Sequence, residues 1–530
     1  MTREAAFVGV DVGTESVRAG VFTQDGEMRG LASRPIQVFR PAEDFVEQSS
    51  DEIWRMTCAA VKDAVRQSGL RKAIRGIGFD ATCSLVALDR EGRALSVSPS
   101  GRRDANVIVW MDHRARDDAA EITRGKHKVL RYVGGVMSPE MQLPKIRWIK
   151  RHLSQRYRQA GKFLDLSDFL VYRATGVDTR SVCTVTCKWT YLAHERRWDR
   201  KFFERIGLAD LLGGERLGER VADVGTSAGT LTRSAASDLQ LDRDTVIAVA
   251  LIDAHSGGVG MLGRAREDTL GIIGGTSSCH MAISLEPTFV PGVWGPYYRA
   301  MLPGYWLNEG GQSATGALID HVIQSAACYP KLLDEARAKG QTVYQLLNAE
   351  VLRLERDDPW FNRDFHLLGD FHGNRSPRAD PDLRGMISGL SLNRTKTETA
   401  RAYLAAIESI ALGTRHIIEA MNKAGHRISK IRMCGGATKN PVWLREHADA
   451  TGCPVLVPRT TEAMLLGGAM NAAAASGTFK NLSEAMARMS GDGDVTRPRA
   501  RTQRYHDAKY AVFHRMHDDQ ISYQRMMRNV

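Results

Sequence analysis

The chain has 530 residues, 43% hydrophobic and 25% charged, a globular balance on a length that exceeds one core, so two domains of similar size are expected. The formal charge of +12 is spread over short basic clusters, such as 150–152 and 497–501, and reads as a solvated basic surface; no nucleic-acid partner is expected. No apolar run approaches the roughly 18 residues of a membrane span, residues 1–4 lead straight into a strand without a signal-peptide layout, and eight scattered cysteines read as reduced thiols in a cytoplasmic protein.

In chain order, residues 7–12 and 17–22 predict a strand hairpin, with Gln24, Asp25 and Gly26 as the next turn. Helical apolar spacing covers 51–66, with Ser50 or Asp51 able to cap its start. Strands are expected at 74–79 and 107–110, and 162–175 combines a strand with a helix that ends at Gly176. The apolar run 246–252 predicts one strand buried on both faces. The pattern then restarts, so the domains are placed at 1–262 and 263–530, with 269–274 as the first strand of the second. A long helix over 399–424, strands over 428–433 and 455–458, and a small-residue helix over 462–475 follow. A loop at 497–501 precedes a final helix.

One internal echo stands out. Val8 to Ser16 and Gly271 to Ser278 are each an apolar run that breaks into Gly-Thr and further hydroxyls. A strand ending this way lets backbone N–H and side-chain O–H groups converge on a phosphate, and two copies suggest two domains facing one nucleotide. Two other patterns carry less. The literal G-x-G-x-x-G at 258–263 is separated from its strand by residues 253–257 and is rejected as a dinucleotide fingerprint. Cys183 and Cys187 have no second pair at zinc spacing and are read as small apolar fillers.

Asp253 follows the apolar run and precedes a helix start of small residues, at the mouth of a sheet. A carboxylate there suits a general base, and an N-capping aspartate is the structural alternative; two phosphate loops favour the base. Asp11, beside Gly13 and Thr14, suits a carboxylate that holds Mg²⁺ through water, where the alternative is a turn aspartate. Gly435 and Gly436, ahead of Asn440, would let a flat ring lie on bare backbone, or make a simple tight turn. Trp110, Met111, Asp112, His113 and Arg114 concentrate five functional side chains at a strand end and suggest a binding site.

Taken in order, Asp11–Thr14, Trp110–Arg114, Asp253–His255, Gly275–Ser277, Glu309–Ser313 and Gly435–Asn440 resemble the motifs of the FGGY carbohydrate kinases, over residues 7 to about 477. The resemblance implies an α/β fold of two ribonuclease-H-like domains of the actin and hexokinase type, with ATP and sugar in the cleft between them. It implies Asp253 as catalytic base, Gly13, Thr14, Gly275 and Thr276 in the phosphate loops, and Gly435, Gly436 and Asn440 at the adenosine with Gly316 near the ribose. Family members are often dimers, so a homodimer is compatible with it.

The Trp-Met-Asp-His-Arg form looks like the pentulose, ribulokinase-like branch. In that branch the sugar contacts match Lys188 and Glu309, with Trp110 also at the substrate; Lys188, Asp112 and His113 are placed to read hydroxyls, and the alternative for each is a structural hydrogen-bonding residue. Thr82-Cys83-Ser84-Leu85-Val86 resembles a signature of D-ribulose kinases, which puts Cys83 at the sugar. The expectation is therefore a Mg²⁺- and ATP-dependent kinase for D-ribulose. L-ribulose, xylulose and polyols such as ribitol, erythritol or glycerol stand behind it. A non-enzymatic actin-like regulator is the rival from another class. Such regulators typically add a DNA-binding segment, and no helix-turn-helix stretch is evident at either end.

Overall fold

Two sheets built to one plan organise the molecule. In the computed structural model, which describes residues 5–264 and 267–528, the strand Ala6–Val12 is fully buried; the expected lead-in at residues 1–4 lies outside the described residues. That strand turns back antiparallel into Ser16–Thr23, which pairs antiparallel with Met28–Pro35. On its other side lies Ile74–Ala81 in parallel, itself parallel to Val246–Ala248 and Leu251–Ile252. The second sheet repeats the order. Thr269–Gly274 is antiparallel to Ser278–Ser284, which is antiparallel to Trp306–Gln312. Thr269–Gly274 is also parallel to Lys430–Cys434, and that strand to Val455–Leu456. The echo in the sequence is thus an echo of topology, and each Gly-Thr segment is the turn of its sheet's first hairpin. This is the α/β, two-domain actin-type fold that the sequence implies.

Two helices of small residues join the sheets. Asp253–Leu262 crosses Ala463–Ala475 so closely that a Cβ on Gly260 would stand 1.9 Å from the Ala463 carbonyl oxygen, and one on Gly467 1.8 Å from that of Ser256. The Ala463–Ala475 helix, although late in the chain, also lies on the first sheet. A Cβ on Gly9 would meet Leu465 O at 1.8 Å, and one on Gly78 would meet Gly468 O at 2.0 Å. Backbone-to-backbone contact of this kind leaves room for no side chain at all. Gly260 therefore serves helix packing, Gly258 abuts Met281 and Met301, Gly263 ends the helix at φ +56, and the dinucleotide reading is excluded.

Several boundaries differ from expectation for identifiable reasons. The run 246–252 is two short strands, because Asn471 Nδ2 donates to Val249 O at 2.7 Å where the ladder breaks. The first long helix, Ser50–Ser68, is capped by Ser49 and not by Ser50 or Asp51; Ser50 instead exchanges hydrogen bonds with Asn106. The strand expected at 107–110 is only Val107–Ile108, since Val109 N–H turns to Val46 O and Trp110 N–H to Ser84 Oγ. The long helix begins at Lys396, one turn early, capped by Thr395. Its successor strand is Lys430–Cys434, and the final helix is Gln503–Arg528.

Candidate active site

Three carboxylates meet where the central strands of the first sheet end. Asp11 and Asp80 are register partners on adjacent parallel strands, and Leu251, two residues before Asp253, pairs with Asp80 on its other side. Asp253 is the first residue of its helix rather than the cap, with Oδ1 accepting Ala254 N–H at 2.7 Å. Burial and the charge of Asp11 push the Asp253 carboxyl up to about 7, against the opposing pull of the Ala254 N–H and Lys188. Asp80 is fully buried, and both its oxygens lack a hydrogen-bond partner among the described residues. Burial, with Asp11 and Asp253 adding to it, raises Asp80 well above the carboxylate range; the nearby Ser256 hydroxyl is already given to Met464 O.

Arg18 neutralises part of this negative charge. It sits opposite Asp11 on the neighbouring strand, donates from Nε to Asp11 Oδ2 at 3.0 Å and closes on the same oxygen through Nη2. Its Nη1 reaches Glu462 Oε2 at 2.8 Å, at the start of the Ala463–Ala475 helix.

Among the described residues no group of three or more His, Cys, Asp or Glu side chains forms a closed metal cage. The unpartnered oxygens of Asp80 beside Asp11 fit instead a divalent cation that arrives with most of its waters.

Beside the acids lies a second group drawn from both sheets. Lys188 comes from the helix Val182–Trp189, Glu309 from the strand Trp306–Gln312, and Cys83 from the turn after Ile74–Ala81. Burial opposes the Lys188 charge, but the surrounding acids, chiefly Cys83, Glu309 and Glu140, hold its pKa above the ordinary lysine value. Glu309 Oε2 lies 3.2 Å from His255 Nε2, and its Oε1 accepts from Cys279 Sγ at 3.4 Å. Burial would raise Glu309, yet the hydrogen bond to His255, with Lys188 and Cys279, holds it down to about 2. Lys188 Nζ also stands 5.2 Å from the ring centre of Trp294, the register partner of Glu309.

Trp110 links this group to the first Gly-Thr turn, its indole Nε1 donating to Thr14 Oγ1 at 3.0 Å. Gly13 N–H closes that turn on Ser16 O. Behind Trp110, Lys145 is buried and donates to the Val109 and Trp110 carbonyls; burial lowers its pKa to about 8.

One expected sugar reader has its polar atoms engaged elsewhere. Asp112 is fully buried: Oδ2 accepts Val46 N–H at 2.6 Å and Arg114 Nη2 at 2.7 Å, while Oδ1 accepts Arg114 Nε at 2.8 Å. Arg114 continues to Glu47 at 2.8 Å. Asp112 thus belongs to a buried ion network, the structural role that stood as the alternative to reading hydroxyls. His113 is half-buried and anchored by its backbone N–H to Asp44 O.

The second sheet opens on a cavity of about 540 Å³ lined by Gly275, Thr276, Gly316, Gly436, Asn440 and Trp443 among others. Gly316 N–H donates to Gly275 O at 3.0 Å, and a Cβ on Gly316 would meet that oxygen at 2.7 Å. Gly435 has φ +95 and abuts Gly274, where a Cβ would stand 2.3 Å from the carbonyl oxygen. Asn440 caps the helix Pro441–Thr451 and is itself held by Tyr403 and Asn348.

Reading the sequence missed Arg18, Asp80, Cys183 and His255. Asp80 had a signal, a carboxylate near the end of a strand whose residues 76–81 are all buried, and His255 sat within the Asp253–His255 motif. Arg18 becomes visible only from hairpin register. Cys183 is no mere filler, since its Sγ lies 3.1 Å from His255 Nδ1.

Residues 6–260 match the profile of the FGGY family of carbohydrate kinases, N-terminal domain, and residues 270–476 match that of its C-terminal domain. The chain is 47% identical to an FGGY carbohydrate kinase domain-containing protein of Homo sapiens, over 99% of this chain and 98% of that one. It is 39% identical to a D-ribulokinase of Saccharomyces cerevisiae, over 89% of this chain and 72% of that one. Among solved structures, a xylulose kinase from Rhodospirillum rubrum shares the fold with a TM-score of 0.83 at 20% identity, covering 98% of this chain and 99% of that one.

Proposed function

The chain belongs to the FGGY family of carbohydrate kinases and is a sugar kinase, and from that premise we propose that it phosphorylates the C5 hydroxyl of D-ribulose with ATP. The observation that carries the reading is Asp253, a carboxyl raised to about 7 beside Asp11, within the reach of Lys188 and Glu309. The choice of D-ribulose is supported by 39% identity to the yeast D-ribulokinase and by the segment 82–86.

Asp253 orients the terminal hydroxyl and takes its proton as the C5 oxygen bonds to the γ-phosphorus. The bond from that phosphorus to the β–γ bridging oxygen breaks, and ADP leaves. Because the transition state is loose, positioning and charge neutralisation matter more than proton abstraction. Gly13, Thr14, Gly275 and Thr276 brace the phosphates, and Gly316, Gly435, Gly436 and Asn440 shape the nucleoside pocket. Lys188 and Glu309 read sugar hydroxyls as donor and acceptor, with Cys83, Trp110 and His113 as walls. Mg²⁺, held by Asp11 with Asp80 behind it, would supply positive charge to the transferring phosphoryl group. Closure of the lobes 1–262 and 263–530 keeps water from replacing the sugar. Eight free cysteines fit a reducing, cytoplasmic setting, and no helix among the described residues is long and apolar enough to cross a membrane.

The test is ADP release with Mg-ATP across D-ribulose, L-ribulose, D- and L-xylulose, ribitol, erythritol and glycerol, with Asp253→Asn alongside. Preferred turnover of D-ribulose that is lost in the variant supports the reading. Preference for another acceptor replaces the substrate and keeps the kinase.

A further inference from the structure

Each of the three elements that carry Lys188, Asp253 and Glu309 also carries one member of a buried chain of hydrogen bonds. Cys183 lies on the Lys188 helix, His255 on the Asp253 helix, and Glu309 itself is the third member. Cys183 Sγ is 3.1 Å from His255 Nδ1, and His255 Nε2 is 3.2 Å from Glu309 Oε2. Cys183 and His255 are completely buried, so neither can exchange its partner for water.

The direction of the bonds follows from the donors present. Burial keeps the Cys183 thiol protonated far above the usual thiol range, so S–H is the donor to Nδ1. Nδ1 is then an acceptor, and the ring proton resides on Nε2, aimed at an acceptor-only carboxylate. Cys279 holds the other Glu309 oxygen from the adjacent strand. Glu309 thereby has one donor on each oxygen and keeps the remaining lone pairs for a ligand.

We propose that His255 is a positioning residue: oriented by Cys183, it donates from Nε2 to Glu309 and fixes, across the boundary between the two sheets, the carboxylate that faces the sugar. This rests on the reading of Glu309 as a sugar contact. It assigns to His255 a role in sugar affinity that is separate from the nucleotide site, which lies beyond the second Gly-Thr turn.

The test combines kinetics with a spectroscopic readout on the full-length protein. His255→Ala and His255→Gln are assayed on whichever acceptor the enzyme turns over, with sugar and ATP varied separately. Losing a hydrogen bond to a charged group should raise the sugar KM by about tenfold or more in His255→Ala, with the ATP KM within about twofold. His255→Gln, whose amide still carries a donor, should recover part of the loss, and Cys183→Ala should raise the sugar KM less than His255→Ala. An equal rise in both KM values, or an unchanged sugar KM, overturns the proposal. Nitrogen-15 NMR of histidine-labelled protein at alkaline pH, assigned by the resonance missing in His255→Gln, should show the Nε2–H tautomer and a shift in Glu309→Gln. An Nδ1–H tautomer also overturns it. If D-ribulose is not the acceptor but the tautomer is as expected, the substrate assignment fails and the His255–Glu309 link stands.

Discussion

Arg18 faces Asp11 across the first hairpin and closes on it, Nε to Oδ2 at 3.0 Å, while its Nη1 holds Glu462 at 2.8 Å. One guanidinium therefore balances the acid that weighs most on Asp253 and pins the start of the helix that joins the sheets. Arg18→Met leaves Asp11 unbalanced, so Asp253 should hold its proton to higher pH. The acid limb of the kcat–pH profile is expected to move up by about one unit. An unmoved limb would show that Arg18 serves the helix contact alone.

Asp253 accepts a proton only as the carboxylate, and its pKa is raised to about 7. Turnover should therefore climb as pH rises through about 7 and level off above it. Asp253→Asn should lower kcat by about 10²- to 10⁴-fold with little change in the ATP KM. Stability should move the other way. A carboxyl raised from 3.8 to about 7 binds its proton more tightly when folded, so its contribution is present at low pH and lost as pH rises through 7. The asparagine variant should gain in thermal midpoint at pH 8 and not at pH 3, readable by calorimetry at the two values.

Gly435 and Gly436 are neighbours with opposite demands. Gly435 has φ +95 and no room for a Cβ, whereas a Cβ on Gly436 meets no atom within 4 Å and would project into the second-sheet cavity. Gly435→Ala should destabilise the protein by roughly 1–3 kcal/mol in urea unfolding. Gly436→Ala should leave the unfolding midpoint in place and raise the ATP KM several-fold, without moving the sugar KM. If both variants behave alike, the cavity is not the nucleotide site.

How much of this was legible depended on sequence distance. A strand that breaks into Gly-Thr is a local pattern, so both turns and the two-sheet plan could be read directly. The break at 249 could not, because Asn471 is supplied by a helix far along the chain. Arg18 opposite Asp11 is a matter of cross-strand register, and His255 between Cys183 and Glu309 joins three separate elements. Short-range patterns mark where the chain turns toward a ligand; they do not say which neighbour holds each side chain.

The Trp110–Arg114 segment gives the last test, because one pattern turned out to serve two purposes. Trp110 points to Thr14, whereas Asp112 and Arg114 form a fully buried ion network with Glu47. Removing one partner of such a network leaves a buried charge without its counter-ion, which costs far more than the net worth of the pair. Arg114→Met should therefore destabilise the fold by about 3–5 kcal/mol, since it strands both Glu47 and Asp112. Asp112→Asn should lower the unfolding midpoint while the protein that remains folded keeps its sugar KM within about twofold, less than the ~1 kcal/mol of a lost hydrogen bond. A sugar KM that rises tenfold in Asp112→Asn at an unchanged midpoint would return Asp112 to the sugar site.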